Sequence, residues 1–214
     1  MDPEREELWI GPARELGVEA RVLAPGQVVT AEWVRMKCRY GCPDYGTNLL
    51  CPPFTPTPAE TRRLLDEYAA TLLLRLDCAS GADSQEQSRR LSGIAIALER
   101  RLFFDGFYKA FALTAGGYCS LCESCVLHGV HELSGPYDVA RAHDVARAHD
   151  VDGAHDVARA RAAGVVCRYP ERARPPVTAS GIDIFATSAN AGWPLDVVAG
   201  TDAPYRLFAL VLVE

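Results

Sequence analysis

Thiols are the groups in this chain best suited to chemistry, and six of its eight cysteines fall into two short clusters. The sharper cluster is Cys119-Ser120-Leu121-Cys122-Glu123-Ser124-Cys125. Three cysteines at two-residue intervals suit a compact cubane, because successive thiolates on a tight loop reach different irons while backbone N–H groups turn toward the sulfurs. The next cysteine, Cys167, stands in Cys167-Arg168-Tyr169-Pro170, beyond a repetitive block whose removal would bring it close behind Cys125. Cys119, Cys122, Cys125 and Cys167 are therefore the expected ligands of an iron–sulfur cluster of the [4Fe–4S] type. The other cluster is Cys38, Cys42 and Cys51, with three and eight residues between them, which are not the spacings of a zinc finger or ribbon. Pro43 and Pro52 stiffen that segment, while Gly41 and Gly46 allow tight turns. Three thiolates leave a metal either with an open position or completed by Cys167 or Cys78. The alternative is a zinc-stabilised, non-catalytic interaction module, since cysteine-only sites suit zinc as well as iron.

The surroundings of these thiols are those of an ordinary soluble chain of 214 residues, with 49% hydrophobic and 23% charged side chains. The formal net charge of −6 argues against nucleic acid or an anionic membrane as partner. The acidic opening, Asp2-Pro3-Glu4-Arg5-Glu6-Glu7, does not read as a signal peptide, and no apolar run approaches the roughly 20 residues that span a bilayer. A cytoplasmic location is expected. In that reducing compartment closely spaced cysteines point to metal or redox chemistry rather than disulfides. No GxxxxGK[ST] loop follows Gly116-Gly117, and there is neither a Ser-His-Asp signature nor a CxxxCxxC spacing. Enzymatic activity stays open, and a protein redox or maturation partner is the expected context.

The elements that must position the thiols alternate along the chain. A helix is expected over Glu4–Leu16 and an extended piece over Val18–Leu23. Trp33–Pro58, with five prolines and two glycines, reads as a long loop ordered by a metal. Thr57-Pro58-Ala59-Glu60 is a helix start with a capping box, the helix reaching about Tyr68. Thr71–Asp77 reads as a buried strand. A longer helix follows from Asp83 or Ser84 through Arg101, with Leu91, Ile94, Ala95 and Leu98 at helical spacing. Phe107–Thr114 and Arg206–Val213 read as strands, and Gly181–Asn190 as a turn into a helix. The fold class is α/β or α+β: a small sheet with packed helices and a cysteine-rich, metal-binding lobe made of loops. The whole chain, 1–214, reads as one domain carrying a low-complexity insertion over 130–164. Its hexamers DVARAH, DVARAH, DVDGAH and DVARAR advance about 600° per copy on a helix, so no single apolar face forms.

Taken together, KCRYGCPDYGTNLLCPPFTPTP, FYKAFALTAGGYCSLCESC, CRYPERARPP and SGIDIFATSANAG resemble a prokaryotic family of predicted metal-binding proteins, a cysteine-rich domain of unknown function (number 2284 in that series). The resemblance runs from Trp33 to the C-terminus outside the hexamers. It implies metal binding by Cys38, Cys42, Cys51, Cys119, Cys122, Cys125 and Cys167, and no established reaction. Thr178 stands where the family pattern usually has an acid. Plainer readings attach to other residues. Cys78 ends an apolar strand and reads as a buried small hydrophobe. His143, His149 and His155 belong to the repeat, while His128 and His131 are only surrogate ligands beside abundant sulfur. Arg168, Arg172 and Arg174 either offset thiolate charge, or dock an anionic ligand or partner, or form a solvated basic loop. Tyr40, Tyr45 and Tyr118 are expected to shield a metal from water, and Asp183 to cap a helix.

Overall fold

The computed structural model describes residues 3–117, 119–127, 164–198, 200 and 202–214. Its centre is the run Thr71–Cys78 (TLLLRLDC), strand β2, whose four leucines are buried. Continuous apolar character is what a strand covered on both faces requires. Leu72, Leu74 and Leu76 face one layer, and Leu73 faces the other. Each fully buried leucine contributes roughly 2 kcal/mol. The strand Tyr205–Leu212 lies along β2 over its full length, antiparallel, and divides the same way, with Ala209 and Val211 on one side and Phe208, Leu210 and Leu212 on the other.

Two shorter strands complete the sheet. Strand β1, Glu19–Leu23, pairs with the outer edge of β2, and β3, Phe111–Leu113, pairs with the C-terminal strand, hereafter β4. The order is β1-β2-β4-β3, every pair antiparallel. One face carries α1 (Pro3–Glu15) and α4 (Ser84–Phe104), which bury Trp9, Ala13, Leu91, Ala95, Leu98 and Leu102. The other face packs Leu65 of α3 (Pro58–Leu65), together with Val177, Ile182 and Trp193. Between β1 and α3 lies α2 (Glu32–Gly41), and α5 is Ile184–Asn190. Five helices on a four-stranded antiparallel sheet, counted among the described residues, make the class α+β.

Most expected elements are present with ends moved by a few residues. Two differ in substance. Trp33–Gly41 belongs to a helix rather than a loop, with Val34 as its buried anchor. The expected strand from Phe107 shrinks to Phe111–Leu113. Gly106 at φ +103° turns the chain out of α4, and a bond from Ala110 N to Phe107 O holds residues 107–110 in a turn while Phe107 packs edge-on to Trp9. The hexamer insertion lies outside the described residues, apart from its last position.

The capping box at Thr57 forms as the sequence requires: Thr57 Oγ1 accepts from Glu60 N at 3.2 Å, and the Glu60 carboxylate accepts from Thr57 N at 2.8 Å. Thr57→Ala should cost about 1 kcal/mol in denaturant unfolding. The hydrogen bonds from Thr57 hold the Glu60 carboxyl below its ordinary range. A lowered carboxyl adds stability that is present above its unfolded pKa and is lost as pH falls through its folded one. The difference between wild type and Glu60→Gln should therefore shrink in acid, measurable by urea titrations at pH 7 and pH 3 (on the order of those limits, given the carboxylate range in).

Candidate metal centre

The second cysteine loop leaves β3 directly. After Leu113 the chain pairs through Thr114, whose N–H donates to Pro175 O at 3.0 Å and whose carbonyl accepts from Val177 N at 2.9 Å. This parallel bridge fixes the segment that follows Cys167 beside the root of the Cys119–Cys125 loop. A second clasp lies within the loop, where the Arg168 guanidinium donates to Ser124 O at 2.8 Å. A third fastens the loop to the helix layer: Ser88 Oγ donates to Gly116 O at 2.5 Å. Gly117 sits at φ +135°, and a Cβ there would lie 3.0 Å from Ser88 Oγ, so the close approach needs glycine. Thr178 borders the same root, since a Cβ on Gly116 would lie 3.3 Å from its Oγ1.

These anchors bring Cys167 to the three cysteines of the loop. Burial, first, and then the charges of Cys122, Cys167 and Cys125 push the Cys119 thiol above its usual pKa, while a backbone hydrogen bond at Leu121 opposes them. All four thiols are half-buried. Tyr169 N–H points at Cys167 Sγ at 3.4 Å, the kind of donor that stabilises a ligating thiolate.

Holding that arrangement is a buried ion pair outside the cysteines. Glu99, on α4, accepts from Arg174 through both carboxylate oxygens at 2.6 and 2.8 Å, and its Oε2 also accepts from Ala112 N at 2.6 Å. Their side chains are 12% and 18% exposed. Glu99 thus occupies the open edge of β3 and ties it to the Cys167 segment. Hydrogen bonding to Glu99 raises the Arg174 pKa against the opposing effect of burial.

The first group is built differently. Cys38 and Cys42 stand four apart, one on α2 and the other closing it, so both point to one side of the helix end. Cys51 returns through a tight turn in which Gly46 takes φ +75° and donates to Pro52 O at 2.9 Å. Buried Asn48 donates to Cys51 Sγ at 3.2 Å. Burial raises Cys51 to about 11, with the charges of Cys42, Asp44 and Cys38 adding to the rise and the Asn48 bond opposing it. Cys38 is raised by burial and by Cys42, against the pull of Arg35. Arg35 itself is braced by Thr55 Oγ1 at 2.8 Å and Ala179 O at 2.7 Å.

Cys38, Cys42 and Cys51 form one neighbourhood, and Cys119, Cys122, Cys125 and Cys167 form another. Cys78 belongs to neither: it is buried in the sheet core, its thiol directed at Leu76 O, as expected of a structural cysteine. Among the described residues no three His, Cys, Asp or Glu side chains close into a ligand cage as they stand. The charges of Cys122, Cys167 and Cys125 bear on Cys119, and those of Cys42 and Cys38 bear on Cys51. The number and softness of the thiols fit iron–sulfur or zinc. Asp44 beside Cys51 was not anticipated, although the Cys42-Pro43-Asp44 run carries the signal. It could give the first group an oxygen donor.

A family model described as "Predicted metal-binding protein (DUF2284)" matches residues 21–213. The chain belongs to this family. No curated protein and no solved structure matches it. The family span includes every strand after the first two residues of β1 and all seven clustered cysteines, and it leaves out α1. No helix among the described residues is long and apolar enough to cross a membrane.

Other expectations resolve more simply. Asp183 caps α5, accepting from Ala186 N at 3.0 Å. Tyr40 is 70% exposed beneath the Arg39 guanidinium, so it shields nothing, whereas Tyr45 is half-buried near Arg35. Arg168 donates to Ser124 O and Arg174 to the Glu99 carboxylate. Tyr118, His128, His131 and the repeat histidines lie outside the described residues.

Proposed function

We propose that this member of the metal-binding family holds a [4Fe–4S] cluster on Cys119, Cys122, Cys125 and Cys167, with a second metal site on Cys38, Cys42 and Cys51. Its role would be electron transfer to, or maturation of, a partner enzyme. What supports the reading is one juxtaposition: four half-buried thiols from two distant segments, gathered by backbone pairing at Thr114 and by the Arg168 clasp. A bound cluster would supply a redox centre whose potential depends on burial and hydrogen bonds to sulfur. The chain's part is to supply the thiolates, the Tyr169 amide and nearby arginine charge that offsets theirs.

The test is iron, zinc and sulfide content of protein purified without oxygen, with a visible spectrum on the same sample. Equal iron and sulfide with an absorption band bleached by dithionite is the expected result. Zinc without sulfide would overturn the cluster and leave the thiolates a structural role, with chelation then unfolding the protein.

A further inference from the structure

A cavity of about 570 Å³ lies against the second cysteine loop, floored by α4 and touching Cys119. Its apolar walls include Ile96, Ala115, Pro176 and Leu207. Four arginines line it, Arg89, Arg100, Arg172 and Arg174, and no acidic side chain does among the described residues. In a chain of net charge −6 that is a local reversal of sign. Arg174 is committed to Glu99, but Arg89 and Arg172 have no hydrogen-bond or ion-pair partner for their side chains among the described residues. Arg100 only lies over the Phe104 ring.

The helix builds this geometry. Arg89, Gly93, Ile96 and Arg100 recur on one stripe of α4, so the two arginines stand about 16 Å apart along the axis at 1.5 Å per residue. Between them Ser92, Gly93 and Ala97 are too small to fill the space. Arg172, from the segment that follows Cys167, also lines the cavity. Apolar walls with a few converging polar groups are the usual make-up of a ligand site, and guanidinium groups recognise carboxylate and phosphate oxygens through paired hydrogen bonds. We infer that this cavity binds a small, multiply charged oxyanion, a dicarboxylate or a phosphate ester, beside Cys119. The arginines define the site without any metal; only the ligand's nearness to a redox centre rests on the function proposed above.

The experiment is calorimetric titration of the full-length, metal-loaded protein with succinate and, separately, inorganic phosphate, each against chloride at equal ionic strength. Saturable binding of one of them is expected, and whichever binds identifies the source chemistry. Arg89→Gln and Arg172→Gln, both exposed positions, should each weaken it about tenfold or more, the worth of one hydrogen bond to a charged group. Arg63→Gln, outside the cavity, should change nothing. Absence of saturable binding by either anion, or binding equally strong in the Arg89→Gln/Arg172→Gln double variant, overturns the site. The metal content of the same sample is read separately, so loss of the cluster reading and loss of the anion site are distinguishable.

Discussion

Cys167→Ala should empty the centre at Cys119, Cys122 and Cys125, leaving acid-labile sulfide at background and iron reduced by the cluster's share, while Cys78→Ala keeps both. The contrast follows from where the two thiols stand. Cys78 is buried in the apolar core on the α1–α4 face of the sheet. Cys167 comes from a distant part of the chain, on a segment held by the pairing of residues 174–177 with Thr114 and by the Arg168 bond to Ser124 O. Removing one of four ligands removes the charge and softness that hold a cluster together. Metal binding stabilises the folded form, by about 4 kcal/mol when the free metal stands at 1,000 times its dissociation constant. Cys167→Ala should accordingly melt well below wild type, and the gap should close once both proteins are stripped of metal. Elemental analysis with thermal unfolding checks both parts. Cys78→Ala would also lose stability, through a small cavity in the core, but without losing metal. Retention of iron and sulfide by Cys167→Ala would show that the loop cysteines find their fourth ligand elsewhere.

The grouping of the cysteines was legible in the sequence because local spacing survives folding. The same is true of the Thr57 capping box and the Asp183 cap, whose partners lie three residues away. Strand β2 could be read because a run buried on both faces needs continuous apolar character. What escaped was whatever depends on a distant partner. Trp33–Gly41 looked like loop on account of its neighbours' prolines. Yet Cys38 and Cys42 at a spacing of four already match one side of a helix, and Val34 supplies the buried contact. Phe107–Ala110 has strand composition, but Gly106 and the packing of Phe107 on Trp9 override it. Tyr40 reads as a shield in the sequence because it stands beside cysteines. On the helix it turns outward to solvent. The cavity drew arginines from α4 and from the Cys167 segment, and no local pattern links 89 with 172.

Glu99→Ala is expected to be as damaging as truncating a core leucine, with a loss of about 3 kcal/mol or more in denaturant unfolding. Nothing in the sequence marks this residue: it is one glutamate on a charged helix, eighth after Leu91. In the fold its carboxylate serves three donors, two on Arg174 and one on Ala112. Truncation leaves a guanidinium largely out of water without its counter-charge and strands a backbone N–H at the sheet edge, each costly on its own. Glu99→Gln keeps the shape and an acceptor for one donor but gives up the charge, so it should fall between wild type and Glu99→Ala. The consequence also reaches the metal. Arg174 ends the segment that carries Cys167, so freeing it loosens the ligand furthest in sequence from the loop. Metal should be lost faster to a chelator from Glu99→Ala than from a variant equally destabilised in the opposite layer, such as Leu65→Ala in α3. Equal chelation rates in the two would mean that the ion pair supports the fold in general and does not hold the centre in place.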